Sequence, residues 1–314
     1  MTLTTTKNSK DFGKVAVLYG GLSSEREVSL KSGKAVFEAL LRRSVDAHLV
    51  DVGISIVTQL MDGHFDRAFN ILHGPGGEDG VMQALLETLA IPYTGSGVQG
   101  SALAMDKLRT KFVWRGCGLP TPDFVILDGP EAFPEVASRL GFPVIVKPVH
   151  EGSSIGISKV DSADQLEQAW ATARKYDREI IAERWITGGE YTASILNNEA
   201  LPLIKLETPR AFYDYEAKYL LNDTRYLCPC GLALPLEMEL RRMALKAFNF
   251  LGLAGWGRID FMLDKDNHPW LIEANTTPGM TDHSLVPMAA RAAGYSFDEL
   301  VWRILETTLT PERV

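Results

Sequence analysis

Cysteine is scarce in this chain: Cys117, Cys228 and Cys230 are the only three in 314 residues. They are too few and too lopsided for a disulfide framework. No second Cys/His pair accompanies Cys228-Pro229-Cys230 to complete a tetrahedral metal site, so the thiols read as structural or incidental. Long apolar runs are missing too. Nothing approaches the roughly 20 apolar residues that cross a bilayer. The opening MTLTTTKNSKDFG is polar where a secretory leader would be apolar. A cytoplasmic protein without a membrane partner is expected. Positive charge is in deficit, with 32 Lys and Arg against 40 Asp and Glu and a formal net charge of −8. A dedicated nucleic-acid binder normally carries a basic face, so nucleic acid is not the expected partner. An anionic nucleotide needs only a few placed lysines and backbone amides. Internal repeats and low-complexity tracts are also absent. What remains, 46% hydrophobic with charge spread along the chain, suffices for two or three globular domains.

Three blocks can be read. In the first, 14–98, KVAVLYGG, AHLVDV and RAFNILHG have the look of buried strands, and SSEREVSLKSGKAVFEALL and VMQALLETLAI of amphipathic helices. Ser23 or Ser24 is the expected N-cap of the first helix, with Glu25 and Glu27 in its first turn. Alternating strand and helix predicts a doubly wound parallel sheet, whose ligands bind at the carboxyl ends of its strands. Gly20-Gly21 and HGPGGEDG, 73–80, lie at such ends. The second block, 99–184, opens with a helix, SALAMDKLRTKFVWRGCGLP, expected to run until Gly118 and Pro120 stop it. FPVIVKP and EIIAERWI read as strands, and Leu166, Ala169, Trp170 and Ala173 mark a helix. The third block, 185–314, holds a long hairpin, a polar aromatic loop, a helix through Leu240, Ala244 and Phe248, and a second hairpin. The last two blocks are α+β.

That second hairpin, GRIDFMLDKDNHPWLIEANTTPG, is the most informative segment. Two apolar strands flank a polar turn, 265–268. Alternation puts Arg258, Asp260 and Met262 on one face and Ile259, Phe261 and Leu263 on the other. On the return strand Glu273 and Asn275 point together, as do Trp270, Ile272 and Ala274, which are expected to complete a buried face. The opposite face then gathers a guanidinium, two carboxylates and an amide, a hard oxygen set suited to Mg²⁺. A salt-bridged strand pair on a solvated face accounts for this segment equally well.

Lys147 ends the apolar run Val144-Ile145-Val146, where a lysine is costly to bury unless it meets an anion. The loop Glu151-Gly152-Ser153-Ser154-Ile155-Gly156 follows. Its glycines permit close approach, and its amides and hydroxyls can cradle phosphates. It is neither a Walker A loop nor a Rossmann fingerprint. The backbone around Glu183-Arg184-Trp185-Ile186 could meet an adenine edge, with Glu190 placed for a ribose, although an ordinary interdomain strand fits the same residues.

In chain order GGLSSEREVS, HGPGGEDG, YTGSG, AMDKLRTK, VIVKPVHEGSSIG, FYDYEAKY, GWGRIDFMLD and EANTTPGMTDHSLVP resemble the motifs of the D-alanine–D-alanine ligases, over about 14–306. The resemblance implies an ATP-grasp fold and an ATP-dependent carboxylate–amine ligase making D-alanyl-D-alanine, through an acyl phosphate, for peptidoglycan precursors. It further implies two Mg²⁺ (or Mn²⁺) ions, room for a monovalent cation such as K⁺, and a homodimer. Lys107 and Lys147 match the nucleotide's phosphate-side lysines, Glu183, Trp185 and Ile186 its adenine side, and Glu190 its ribose, with Lys218 and Asn275 also on the nucleotide. Asp260, Glu273 and Asn275 match the metal ligands, and Arg258 and the Gly279 N–H the oxyanion stabilisers. Glu25 and His73 match the first D-alanine's subsite, Ser284 and Leu285 the second's. Tyr219, in a lid at 213–219, matches the partner of Ser153, and through it of Glu25. Pro75 and Asp282 depart from the family pattern. A D-alanine–D-lactate ligase or a non-catalytic nucleotide sensor would keep much of this pattern.

Overall fold

Alternation along the first strand decides how the first sheet is covered. The computed structural model describes residues 7–207 and 224–309. Strands β1 (Lys14–Gly20), β2 (Asp46–Val52) and β3 (Arg67–Asn70) are parallel, in the order β2-β1-β3. Ala16 and Leu18 face a core shared with Leu60 of α2 (Ile56–Gly63) and Leu86 of α3 (Val81–Thr88). Val15 and Val17 face the other way, toward Val36 and Leu40 of α1 (Arg26–Arg42). Each of the valines and leucines contributes roughly 1.5–3 kcal/mol by leaving water. Both faces are covered, as the doubly wound reading requires. The α1 cap differs from expectation. Glu25, not a serine, is the N-cap residue, and the Ser23 hydroxyl is already committed, donating to the His73 carbonyl at 2.7 Å and accepting from the Glu25 N–H at 3.2 Å.

The single helix expected before Gly118 is two. Helix α4 (Val98–Met105) stops at Asp106, whose backbone is extended (φ −91°, ψ 97°). Asp106 then caps α5 (Lys107–Gly116), accepting the Arg109 N–H at 2.8 Å. A capping aspartate offers the backbone an alternative to continuing the helix, which apolar periodicity alone does not register. Strands β4 (Phe124–Ile126), β5 (Val144–Pro148), β6 (Ser158–Val160) and β7 (Ile180–Arg184) form an antiparallel sheet ordered β4-β7-β5-β6. Leu166, Ala169 and Ala173 of α6 (Leu166–Ala173) close its core against Val144 and Val146.

The third sheet holds β8 (Gly188–Leu196), β9 (Glu199–Ala200), β10 (Ile204–Glu207), β11 (Arg225–Leu227), β12 (Trp256–Asp264) and β13 (Pro269–Asn275), antiparallel in the order β11-β10-β8-β12-β13 with β9 on β8. Helix α7 (Leu234–Phe250) covers it, placing Leu240, Ala244 and Phe248 over Ile259 and Phe261. One detail of the hairpin is corrected. Asp260 pairs with Glu273 but Phe261 with Leu271, so Ile272 is an extra residue in a β-bulge. The bulge reverses the alternation, and Leu271 enters the core with Ala274 while Trp270 and Ile272 stay half-buried. Finally, α8 (Leu285–Ala292) and α9 (Phe297–Glu306) return to the first sheet, where Val286, Leu300 and Trp302 join the core of Val15 and Val17. Among the described residues no helix is long and apolar enough to cross a membrane.

Candidate active site

The return of α8 and α9 to the first sheet brings the β12–β13 hairpin opposite the start of α1. Between them lies a cleft of about 460 Å³ lined by Glu25, His73, Lys107, Ser153, Arg258, Glu273, Asn275, Gly279, Ser284 and Leu285, among others. Residues far apart in the chain, from three sheets, are thereby gathered into one concave surface. Glu190 and Asp260 line a smaller adjoining cavity together with Arg258 and Glu273.

The polar face of the hairpin is as the alternation predicts. Arg258 grips Asp260 with two bonds of 2.8 Å, and Thr192 from β8 donates to Asp260 Oδ1 at 2.6 Å. Asn275 donates its Nδ2 to Asp260 Oδ2 at 3.1 Å, leaving its amide oxygen for another partner. Glu273 sits directly across the strands from Asp260, with the Lys107 ammonium 3.7 Å from its Oε2. Each carboxylate oxygen has about two lone-pair sites, and four donors already fill those of Asp260, so a metal bound there would displace one of them. Two cross-strand carboxylates and an amide oxygen on a rigid sheet fit a hard divalent cation bound through one or two carboxylates.

Opposite, Glu25 is held by the loop at 151–156. The Ser153 hydroxyl donates to Glu25 Oε1. A Cβ at Gly74 would lie 2.8 Å from Glu25 Oε2 and one at Gly152 3.1 Å from it, so both glycines make room for this carboxylate. Ser153 and Ser154 both have left-handed backbone (φ 52° and 60°), a conformation costing a non-glycine residue roughly 1–2 kcal/mol. Such local strain clusters at ligand-gripping loops. His73 is buried, its Nε2 3.4 Å from the Ser32 hydroxyl, and burial chiefly lowers its pKa, favouring the neutral ring. Ser284 stands at the N-cap position of α8, its hydroxyl engaged by Thr281, and it and Leu285 line the cleft at a helix end whose first N–H groups, those of Leu285 and Val286, have no intrahelical acceptors. That end of a helix attracts a carboxylate.

Family models described as the D-ala D-ala ligase N-terminus and C-terminus match residues 52–96 and 113–306. The D-alanine–D-alanine ligase of Methylococcus capsulatus is 57% identical over 302 residues, 96% of this chain and 98% of that protein. This chain belongs to the D-alanine–D-alanine ligase family. Its fold is the ATP-grasp fold. A Bacillus anthracis D-alanine–D-alanine ligase complexed with ATP superposes with a TM-score of 0.81 at 33% identity, over 94% of this chain and 97% of that one. The Enterococcus faecalis VanG D-Ala:D-Ser ligase gives 0.82 at 28% identity, over 94% and 99%.

In this ligase-family chain Lys147 and Glu183 do not line the cleft but form a buried cluster with a third residue. Glu183 Oε2 lies 3.0 Å from Lys147 Nζ and 2.6 Å from Lys111 Nζ, and all three side chains are almost fully enclosed. Lys111 also donates to Thr121 Oγ1 at 2.7 Å, which in turn donates to the Leu271 carbonyl at 2.8 Å, tying α5 to the hairpin. Burial first of all pushes Lys111 down to about 8, against the pull of Glu183. The anion that Lys147 meets is therefore Glu183. Sequence reading missed Lys111, although its spacing of four from Lys107 puts both on one side of a helix. Trp185 and Ile186 lie on the connector between β7 and β8, where one sheet passes into the next.

Glu78 was also missed. Its two oxygens accept the N–H groups of Gly74 (2.7 Å) and Thr277 (3.1 Å), stitching the 73–80 loop to the segment after β13. Burial, then the charge of Glu25, raise its pKa to about 8. A carboxyl raised this far is protonated more readily in the fold than in the unfolded chain, so its share of stability falls as pH rises from about 4.5 to about 8. Pro75 and Asp282 are exposed. Lys218, Tyr219 and the rest of the 213–219 lid lie outside the described residues.

Proposed function

We propose that this chain joins two molecules of D-alanine, using ATP and a divalent metal and releasing ADP and phosphate. The observation that carries this reading is the single cleft that sets Glu25 and Ser153 opposite Arg258, Glu273 and Asn275, in a member of this ligase family. The γ-phosphoryl group of ATP passes to the carboxylate of the first D-alanine. The amine of the second attacks the resulting acyl phosphate, and phosphate leaves. Glu25 pairs with the first substrate's ammonium, and neutral His73 lines the same subsite. Ser284 and the first N–H groups of α8 hold the second substrate's carboxylate. Arg258 and the Gly279 N–H face the oxygen that gains charge in the tetrahedral intermediate, where donors preset for that charge matter most. A fork of guanidinium donors suits an oxyanion or phosphoryl oxygen better than an ammonium does. Lys107 and Lys147 serve the nucleotide phosphates, Trp185 and Ile186 with Glu183 the adenine side, and Glu190 the ribose. Asp260, Glu273 and Asn275 would hold two Mg²⁺ or Mn²⁺ ions, which neutralise triphosphate charge. Lys218 and Tyr219 take the nucleotide-binding and lid roles that the family resemblance gives them, and the units 14–98, 99–184 and 185–314 act as three walls of one grip. Cytoplasmic location, supply of peptidoglycan precursors, a homodimer and a K⁺ requirement belong to the same reading.

Phosphate release measured with D-alanine, L-alanine, D-serine and D-lactate tests it. Release should require D-alanine and dominate with D-alanine alone. Strong release only when D-lactate or D-serine accompanies D-alanine would make the chain a different acceptor's ligase, and no release with any of them would leave a nucleotide sensor.

Lys147→Ala should raise the KM for ATP about tenfold or more, the scale of a lost charged contact, while Lys34→Ala on the exposed side of α1 leaves it unchanged. Lys159, which reads as a plain surface lysine, is a poor control because its ammonium lies 5.4 Å from the Trp185 ring centre. Equal effects at Lys147 and Lys34 would reduce both to general charge.

A further inference from the structure

The root of the phosphate-side loop is clasped by a histidine that the reaction itself does not use. Val149 and His150 both donate backbone N–H groups to Asp177 Oδ2, at 3.0 and 2.8 Å. The His150 ring then spans two carboxylates, with Nδ1 2.9 Å from Asp177 Oδ2 and Nε2 3.3 Å from Asp106 Oδ2. Asp106 caps α5, and the next residue, Lys107, donates its N–H to the Val149 carbonyl (3.2 Å) and its Nζ to the Glu151 carbonyl (2.6 Å). The ring therefore ties the loop root to the helix end that carries Lys107. Only an imidazolium can donate from both nitrogens; a neutral ring turns a lone pair toward one of the two carboxylates.

We propose that His150 is a positioning residue whose protonated ring locks the 151–156 loop and Lys107 together, so that loss of its proton loosens the nucleotide site. The inference rests on the reading of that loop and lysine as the ATP phosphate site. The surroundings favour the cation. From the cap of α5, Asp106 faces the ring, and Arg109 of α5 pairs with that carboxylate. From the turn before β7 come Asp177 and Glu179, the latter 3.7 Å from Nε2, and from its own loop Glu151. Arg109 ion-pairs with Asp106 (3.1 Å) and Glu179, and so supplies positive charge where Asp106, His150 and Glu179 could otherwise be taken for a metal site. The hydrogen bond to Asp106 is the chief cause that raises the His150 pKa, burial opposes it, and Asp177 adds to the rise. A base with a raised pKa contributes fully below its unfolded value, near 6.5, and its contribution is lost as pH climbs through the folded value.

The test is calorimetric affinity for MgATP, without amino acid, from about pH 6 to about pH 9, the window a histidine spans. Wild type should weaken roughly three- to tenfold across it, the worth of about one hydrogen bond. His150→Gln, which cannot titrate, should show the weakened value throughout, and His150→Arg, with donors that never deprotonate, the tight value throughout. Rescue by arginine but not glutamine separates a charged clasp from mere filling of space. The same pH profile in wild type and His150→Gln would overturn the proposal. Because the readout is binding alone, a protein that binds MgATP but ligates nothing would overturn the ligase reading and leave the clasp to be judged by its own curve. A wild type that does not bind MgATP would overturn both.

Discussion

Asp260→Asn and Glu273→Gln should each lower D-alanine-dependent phosphate release by at least about a hundred- to a thousandfold, the scale on which loss of a preset electrostatic group is felt. The two carboxylates face one another across the bulged hairpin, and the adjoining cavity they line also holds Glu190, which the proposed function gives to the ribose. Their effects on stability should differ. Two uncompensated carboxylates would gain by losing a charge, as the bare motif suggests, but Asp260 is already matched by the Arg258 fork and a Thr192 hydroxyl. An asparagine there keeps one acceptor and turns an NH₂ toward a donor, so Asp260→Asn should cost about 1–3 kcal/mol. Glu273 lies 3.7 Å from the Lys107 ammonium, a longer ion pair than the two 2.8 Å bonds of the Arg258 fork, and Glu273→Gln should cost less stability than Asp260→Asn. Turnover and thermal unfolding, measured on the same samples with saturating Mg²⁺ and ATP, check both statements. Near-normal turnover in either variant would remove that residue from the metal site.

How far such a site can be read from sequence depends on whether its signal is periodic. The hairpin face was legible because side chains alternate with period two, which placed Arg258, Asp260, Glu273 and Asn275 together. The Ile272 bulge was not, since a single inserted residue leaves no trace in an alternating pattern and only the paired strand reveals it. Asp106 looked like one more polar residue on a helix, and its capping role depends on the Arg109 N–H and on the 149–151 segment docking beside it. Glu78 and Lys111 share another cause of invisibility. Charged side chains are rarely enclosed without partners, and the partners of half-buried Glu78 and buried Lys111, the Thr277 amide and Glu183, are distant in sequence. Glu25 with Ser153, by contrast, emerged through family motifs rather than through any local rule, because 128 positions separate them.

Glu183→Gln should be the most destabilising of the conservative changes in the nucleotide region, while Lys111→Met should be tolerated. The buried cluster holds two ammonium groups and one carboxylate, a net positive charge out of water. Removing the carboxylate strands both cations, and breaking a buried ion pair in this way costs about 3–5 kcal/mol. In a chain of this size that corresponds to a fall in melting temperature of roughly 10 °C. Removing Lys111 instead leaves Glu183 paired with Lys147 at 3.0 Å and balances the charge, and methionine refills most of the volume. Its cost should stay within about 1 kcal/mol, chiefly the donor lost to Thr121. The pH dependence gives a second reading of the same cluster. Lys111 is depressed to about 8 from an ordinary value of 10.5. Between those values the unfolded chain holds the proton and the fold does not, so wild-type stability from this group rises with pH across that window. Lys111→Met should abolish the rise. Melting curves near pH 7 and near pH 9.5 for wild type and both variants would show it, and equal losses from Glu183→Gln and Lys111→Met at the lower pH would mean that charge balance does not govern this cluster.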